Sequence, residues 1–67
     1  MVNNWFKYLV FFSDGSIWSK KNLLHRWKSE EILLEAIKLR YIEQCGTTDI
    51  GDPQYRITEL GKKFRDN

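Results

Sequence analysis

Cationic side chains are concentrated between residues 19 and 28 of this chain, where no acidic residue accompanies them. The cluster holds Lys20, Lys21, Arg26 and Lys28, with His25 among them. Grouped lysine and arginine side chains can contact phosphate through charge-assisted hydrogen bonds. The alternative is an ordinary solvated helix face, because most charge runs are of that kind. The net charge of +2 is too small to indicate a nucleic-acid-binding protein by itself.

Catalytic and metal-binding chemistry has little support in this sequence. His25 is the only histidine, and no acid lies beside it in sequence to orient the imidazole. Cys45 is the only cysteine, which excludes an internal disulfide, and one His with one Cys is too few for a structural zinc site. We expect Cys45 to pack as a small apolar side chain, and Glu30 and Glu31 to be ordinary first-turn helix acids. The prediction is a protein that is not an enzyme and has neither cofactor nor metal.

The length of 67 residues predicts a single domain over residues 1–67. A chain this short buries only ~60% of its unfolded surface, so its three Trp, three Tyr and four Phe are expected to strengthen the core. The apolar run 5–12 is interrupted by Lys7, is too short to span a bilayer, and lacks a signal-peptide cleavage pattern. The lone thiol fits a reducing compartment, so the predicted location is cytoplasmic, with no membrane partner.

The strongest local pattern is the helical periodicity of residues 29–39. On a helical wheel their apolar side chains fill one broad arc, which leaves Glu31, Glu35 and Lys38 on a narrow polar strip. Ser29 suits the N-cap, because its hydroxyl can accept from a free N–H of the first turn. A helix that is apolar around most of its circumference is largely enclosed. We therefore predict that the other elements cover this helix on nearly every side.

Two more helices are predicted before this central one. The first, capped by Asn3 or Asn4, runs to about Phe12, although its aromatic and β-branched content would also suit a strand. Ser19 is expected to cap a second helix over about 20–27. Because the third helix follows at once, the pair is a candidate helix-turn-helix.

The remaining elements are predicted to form a small sheet and a helical end. Ile17 and Trp18 are expected to be one short edge of the sheet, and residues 41–45 and 54–58 are expected to pair as an antiparallel hairpin. The loop 47–53 between them carries Asp49 and Asp52.

A last short helical turn is expected to follow this hairpin. Thr58 can cap the turn, which holds Leu60 and Phe64. Gly61 lies inside the turn and lowers helix stability by up to ~1 kcal/mol relative to Ala.

The order helix, short strand, helix, helix, strand, loop, strand resembles that of the winged-helix family. Residues 36–43 (AIKLRYIE) resemble the end of a recognition helix that passes into the wing. Residues 55–64 (YRITELGKKF) match a Tyr-x-hydrophobic-Thr-x-x-Gly pattern that closes the wing in many bacterial and archaeal regulators. The resemblance implies an α+β fold, a winged helix-turn-helix with three helices and a small antiparallel β-wing, to which a short third strand can add.

Double-stranded DNA is the partner that the resemblance implies, and transcriptional regulation is the implied role. In this family the third helix commonly enters the major groove and contacts the bases. The resemblance implies that the corresponding residues here are Ser29, Glu30, Glu31, Glu35 and Lys38. Since acids here and in the wing repel phosphate, we predict backbone contacts made mainly by the second helix. The predicted DNA-binding residues are Lys20, Lys21, Arg26, Lys28, Lys38 and Arg56, and the tail residues Lys62, Lys63 and Arg65 extend them.

The alternative is a protein-interaction or dimerisation module that does not bind DNA. The acidic strip of the third helix, the acidic wing and the surplus of aromatic residues favour this homodimer or protein partner. Trp5, Trp18 and Tyr41 can anchor an interface if they do not all fit inside so small a core. The simpler alternative is that all of them complete the core.

The core is predicted from the apolar faces of these elements. Replacing Leu33 or Ile37 by Ala should cost ~2–5 kcal/mol. The residues expected inside are Phe6, Leu9, Val10, Ile17, Leu24, Trp27, Ile32, Leu33, Ala36, Ile37, Ile42, Ile57 and Leu60.

Overall fold

Four helices and a three-stranded antiparallel sheet make up the computed structural model, which describes residues 4–66. The predicted α+β class is confirmed. The predicted count of three helices is wrong for the described residues, because the expected terminal turn continues into an eight-residue helix. In chain order the elements are α1 (Phe6–Leu9), β1 (Trp18–Ser19), α2 (Lys20–Trp27), α3 (Glu30–Lys38), β2 (Ile42–Thr47), β3 (Pro53–Ile57) and α4 (Glu59–Asp66).

The first helix, α1, is shorter than its sequence pattern predicted. It spans four residues, and beyond it the N–H of Phe11 bonds the carbonyl of Tyr8 while the N–H of Phe12 bonds that of Leu9. These three-residue spacings tighten the chain and turn Phe12 fully into the core. Of its two predicted caps, Asn3 lies outside the described residues, and the prediction of Asn4 is wrong, because Trp5 is the N-cap and makes no side-chain capping bond.

Local capping defines the starts of α2 and α3 as the sequence predicted. The Ser19 hydroxyl accepts from the N–H of Asn22 at 3.3 Å, and the Ser29 hydroxyl accepts from the N–H of Ile32 at 3.2 Å. Lys28 ends α2 in the left-handed conformation, with φ of 58°, and its N–H bonds the carbonyl of Leu24. This left-handed residue reverses the chain within two positions, so α3 begins at once.

The sheet has the order β1-β3-β2, with both pairs antiparallel. The hairpin prediction is confirmed in outline, since Ile42 lies opposite Ile57. A bulge at Cys45 lets β2 continue to Thr47. The predicted edge strand is present one residue later than expected, with Trp18 opposite Tyr55.

Burial corrects the predicted core at its edges. Phe6, Val10, Ile17 and Leu60 are exposed, although they were expected inside. A four-residue α1 turns only Leu9 fully inward, which leaves Phe6 and the C-cap residue Val10 about half exposed. The buried apolar residues are Leu9, Phe12, Leu23, Trp27, Leu33, Ala36, Tyr41, Ile42, Tyr55 and Ile57; Trp5, Trp18, Leu24, Ile32 and Ile37 pack against them half-buried.

The prediction that α3 is enclosed on nearly every side is wrong. Only Leu33 and Ala36 of this helix are buried, while Leu34 is 55% exposed and Leu39, at its C-cap, is 37% exposed. A chain this short buries only ~60% of the surface that its unfolded form exposes, so it has few elements with which to cover a helix on both sides. The other elements therefore cover one face of α3, and the opposite face meets solvent.

The corner between β3 and α4 is held by Thr58. Its N–H and its hydroxyl both lie within hydrogen-bonding distance of the Tyr41 carbonyl, at 3.0 and 3.1 Å. The same hydroxyl accepts from the N–H of Gly61 at 3.0 Å, as the predicted cap should. Gly61 is buried against Tyr41 and Ile57, so α4 approaches the strands through its glycine.

Candidate nucleic-acid interface

The predicted cations of α2 lie on two different flanks of the helix. Lys21 and His25 are exposed on one flank, and the C-cap residue Lys28 continues that line. Arg26 lies about 140° around the helix from Lys21. Its guanidinium is 5.9 Å from the centre of the Trp18 ring, on the side of β1. The structure therefore does not bring Arg26 together with Lys21 and Lys28.

Other members of the predicted set have acidic partners. The Nζ of Lys20 is 3.5 Å from Glu30 at the start of α3. The Nε of Arg56 donates to Glu43, its cross-strand neighbour, at 2.9 Å. Such exposed pairs contribute only about 0–1 kcal/mol to stability, but each places a negative charge beside the cation. Lys20 and Arg56 are therefore weaker phosphate ligands than their sequence positions indicate.

Four cations of the predicted DNA-binding set are exposed and have no acidic partner for their side chains within residues 4–66. They are Lys21 and Lys28 on one flank of α2, Lys38 in the last turn of α3, and Arg26, which lies over Trp18. Because none of these side chains forms an ion pair with an acid of the described residues, an arriving phosphate needs to displace only counter-ions from them. We call Lys21 and Lys28 the α2 cationic flank.

Asp52 has a role in the structure that its sequence position did not indicate. Its Oδ2 accepts from the backbone N–H of Lys21 at 2.9 Å, across 31 positions of the chain. The loop holds the carboxylate in place, because the Asp52 N–H donates to the Thr48 hydroxyl and the Thr48 N–H donates to the Asp52 carbonyl. A carboxylate at a helix N-terminus is stabilising, and it offsets the unfavourable lysines of the first turn. Sequence reasoning missed this contact and placed Asp52 among the acids that repel DNA.

The exposed face of α3 is acidic. Glu31 and Glu35 are exposed together with Lys38, as the predicted polar strip required, and Leu34 lies among them. Two carboxylates against one ammonium repel a phosphate backbone. This face is therefore unsuited to close contact with DNA along its length.

A tight turn forms the tip of the β2–β3 hairpin. The N–H of Gly51 bonds the carbonyl of Thr48 at 2.9 Å, and Gly51 takes the left-handed conformation with φ of 86°. Asp49 and Ile50 are exposed at this tip, and the Ile50 side chain is 85% exposed. The tip from 48 to 52 therefore offers no cation to a phosphate.

Two of the three tail cations, Lys62 and Arg65, are held in local interactions, and Lys63 is exposed. Lys62 pairs with Glu59 at 3.3 Å. Arg65 is mostly buried, pairs with Asp14 and Asp66, and donates to the carbonyl of Phe12 at 2.9 Å. The hydrogen bond to Asp66, and after it the one to Asp14, raises the pKa of the Arg65 guanidinium above its ordinary value. Arg65 therefore joins the end of α4 to the loop after α1 and is not available to a ligand.

His25 and Cys45, the two residues with catalytic or metal-binding side chains named above, are both on the surface. His25 is exposed, as expected of a surface residue. The expectation that Cys45 packs inside is wrong, because the bulge leaves it without a cross-strand partner and exposed. Between residues 4 and 66, no group of three or more His, Cys, Asp or Glu side chains is placed to hold a metal ion. None of the described helices is long and apolar enough to cross a membrane.

Comparison of the chain with family models, with curated proteins and with solved structures found no match. The topology of the chain and the placement of its charges are therefore the features that bear on its function.

Proposed function

We propose that this protein is a small winged-helix DNA-binding protein, a transcriptional regulator that contacts the DNA backbone through the α2 cationic flank. The observation that carries the proposal is the state of Lys21 and Lys28, which are exposed and have no acidic side-chain partner among the described residues. They lie on the first helix of a helix-turn-helix pair, where cations can contact phosphates.

The topology supports the proposal. A helix, a short strand, two helices and a hairpin follow one another, and the short strand pairs with the second strand of the hairpin. Between α2 and α3 there are only Lys28 and Ser29. This is the element order that the sequence resemblance implied, and the hairpin corresponds to the wing.

The charges favour a backbone mode over groove reading. Glu31 and Glu35 on the exposed face of α3 oppose its insertion between two phosphate strands. Asp52 already occupies the N-terminus of α2, where a phosphate could otherwise bind to free N–H groups. Contact with the DNA backbone must then come from the side chains of Lys21 and Lys28. Lys38 at the end of α3 is a third lysine that can contribute.

Two or three phosphate contacts predict weak, strongly salt-dependent binding. Each neutralised phosphate contributes about −0.9 to the slope of log K against log salt, so the slope should be about −2 to −3. The affinity at physiological salt should lie in the range of non-specific binding, with a Kd of about 10⁻⁴ to 10⁻⁶ M.

The test is fluorescence anisotropy of a labelled DNA duplex, titrated with the full chain at several salt concentrations. The double variant Lys21→Glu/Lys28→Glu should abolish measurable binding. Lys62→Glu/Lys63→Glu, which makes the same change in net charge on α4, is the matched control and should retain most of the affinity. Circular dichroism establishes that both variants are folded.

Two results would refute the proposal. Equal losses in the two double variants would mean that only net charge matters, so the α2 cationic flank would have no special role. No binding by the folded wild-type protein at low salt would favour the alternative of an interaction module that does not contact DNA.

A further inference from the structure

Helix α1 and the turn after it expose an unusual amount of apolar surface. Within residues 6–11, Phe6 is 49% exposed, Val10 is 48% exposed and Phe11 is 39% exposed. Phe6 and Val10 are four positions apart, so they lie one above the other on the same face. Phe11 follows, edge-on to the ring of Trp18 at 6.3 Å. Contiguous apolar surface of this kind on a small protein marks an interaction site. We call Phe6 and Val10 the α1 stripe.

One side of the α1 stripe is acidic. Phe6 and Val10 line a shallow depression of about 430 Å³. Asp14 of the loop after α1 lines it too, as do Arg65 and Asp66 at the end of α4. Arg65 pairs with both carboxylates, at 3.0 and 2.7 Å. Two carboxylates around one guanidinium leave this side with an excess of one negative charge.

The other side of the stripe is basic. Lys7 lies there, in a second depression with Trp5, Tyr8 and Ile32 of α3. Its Nζ is 5.2 Å from the centre of the Tyr8 ring, and no acid in the described part of the chain pairs with it. Across α1 the surface is therefore acidic on one side of the stripe, apolar along the stripe itself and cationic on the other side.

This arrangement is complementary to itself. A two-fold axis that runs along the stripe, parallel to α1, exchanges its two sides, so it places the cation of one copy against the acids of the other, and does so twice. A partner of one charge sign would match only one side of the stripe. The charge pattern therefore selects a second copy of this chain as the occupant.

We propose that the protein forms an isologous dimer through α1. The two helices pack parallel, the Phe6 and Val10 side chains of the two copies bury one another, and Lys7 of each copy pairs with Asp66 of the other. The inference goes beyond the proposed DNA contact and does not depend on it, because neither Lys21 nor Lys28 belongs to this surface.

The first test is sedimentation equilibrium of the full chain over a wide range of protein concentration. The wild-type protein should show a concentration-dependent dimer. Val10→Lys buries an unpaired ammonium twice in the interface and should raise the dimer Kd by ~10-fold or more. The matched control is Leu34→Lys, which changes a side chain of similar exposure on α3 and should leave the dimer Kd unchanged.

The second test exchanges the charges. Lys7→Glu faces acids on the partner and should raise the dimer Kd by ~2- to 30-fold, since each lost exposed pair occurs twice. Adding Asp66→Lys should restore association. If Lys7→Glu acted only by unfolding or destabilising the monomer, this second substitution would not restore it. This readout remains decisive if Val10→Lys proves unstable in circular dichroism.

Several outcomes would overturn the dimer. A wild-type protein that is monomeric at every concentration has no such interface. Equal weakening by Leu34→Lys and Val10→Lys would assign the contact to a different or unspecific surface. Failure of the double variant Lys7→Glu/Asp66→Lys to recover association would refute the pairing of Lys7 with Asp66 across a parallel α1 interface.

Discussion

Replacing Gly61 by alanine should destabilise this protein, although the same change favours an isolated helix. Gly61 is the third residue of α4 and is buried at the corner with the sheet. A Cβ added there would overlap the carbonyl oxygen of Tyr41 and lie 2.8 Å from Cγ1 of Ile57. Because backbone atoms cannot rotate out of the way as a flexible side chain does, α4 must move away from the strands.

The expected loss follows from three contributions. Alanine gains up to ~1 kcal/mol over glycine in a helix. Overpacking costs ~1–3 kcal/mol. Movement of α4 also weakens the hydrogen bond from the Thr58 N–H to the Tyr41 carbonyl, now 3.0 Å long, which contributes ~0.5–1.5 kcal/mol. The sum is a loss of about 2 kcal/mol, which lowers Tm by roughly 10 °C in a domain of this size.

The measurement is urea and thermal unfolding followed by circular dichroism. Lys63→Ala is the matched control, because Lys63 is exposed on the same helix and its replacement should change the unfolding free energy by no more than ~0.5 kcal/mol. A Gly61→Ala protein as stable as the wild type, or more stable, would refute the reasoning. It would show that helix propensity dominates at this corner and that α4 does not pack through its glycine.

Two further predictions concern the core and the end of α4. Leu33→Ala should cost ~2–5 kcal/mol, since Leu33 is fully buried, whereas Ile37→Ala should cost clearly less because Ile37 is half-buried; equal losses in urea unfolding would contradict this order. The hydrogen bond from Arg65 lowers the pKa of Asp66 below its ordinary value of 3.8, so the pair contributes stability above that pH and loses it as the pH falls through the lowered pKa. Wild-type and Asp66→Asn proteins should therefore differ in stability at neutral pH and converge in strong acid, and a difference that persists in acid would exclude the ion pair as its cause.

The starts of the central helices could be predicted because their stabilising contacts are local. Ser19 and Ser29 each accept from an N–H three positions ahead, so the sequence alone contains both partners of each hydrogen bond. The hairpin was predictable for a related reason, since turn residues separate two β-forming runs. The strand bounds differ from the prediction by one or two residues, because the bulge at Cys45, through which β2 continues to Thr47, depends on the cross-strand pairing.

The candidate interface could be predicted only as a list of cations. Their charges follow from the sequence, but their availability depends on what each one meets in the fold. Lys20 meets Glu30, Arg56 meets Glu43, and Arg26 turns towards Trp18. Of the basic residues of the second helix, Lys21 and Lys28 are the two on which the proposed DNA contact depends.

The sequence by itself determined the caps of α2, α3 and α4, the hairpin and the composition of charge, because each depends on residues a few positions apart. Only the tertiary structure decided that Asp52 accepts from the first turn of α2, that Arg65 joins α4 to the loop after α1, and that Gly61 is required at a helix–sheet corner. It also decided that Leu34 and the α1 stripe remain in solvent. These outcomes depend on contacts between distant segments, and a periodic pattern cannot indicate which of two apolar faces will find a partner.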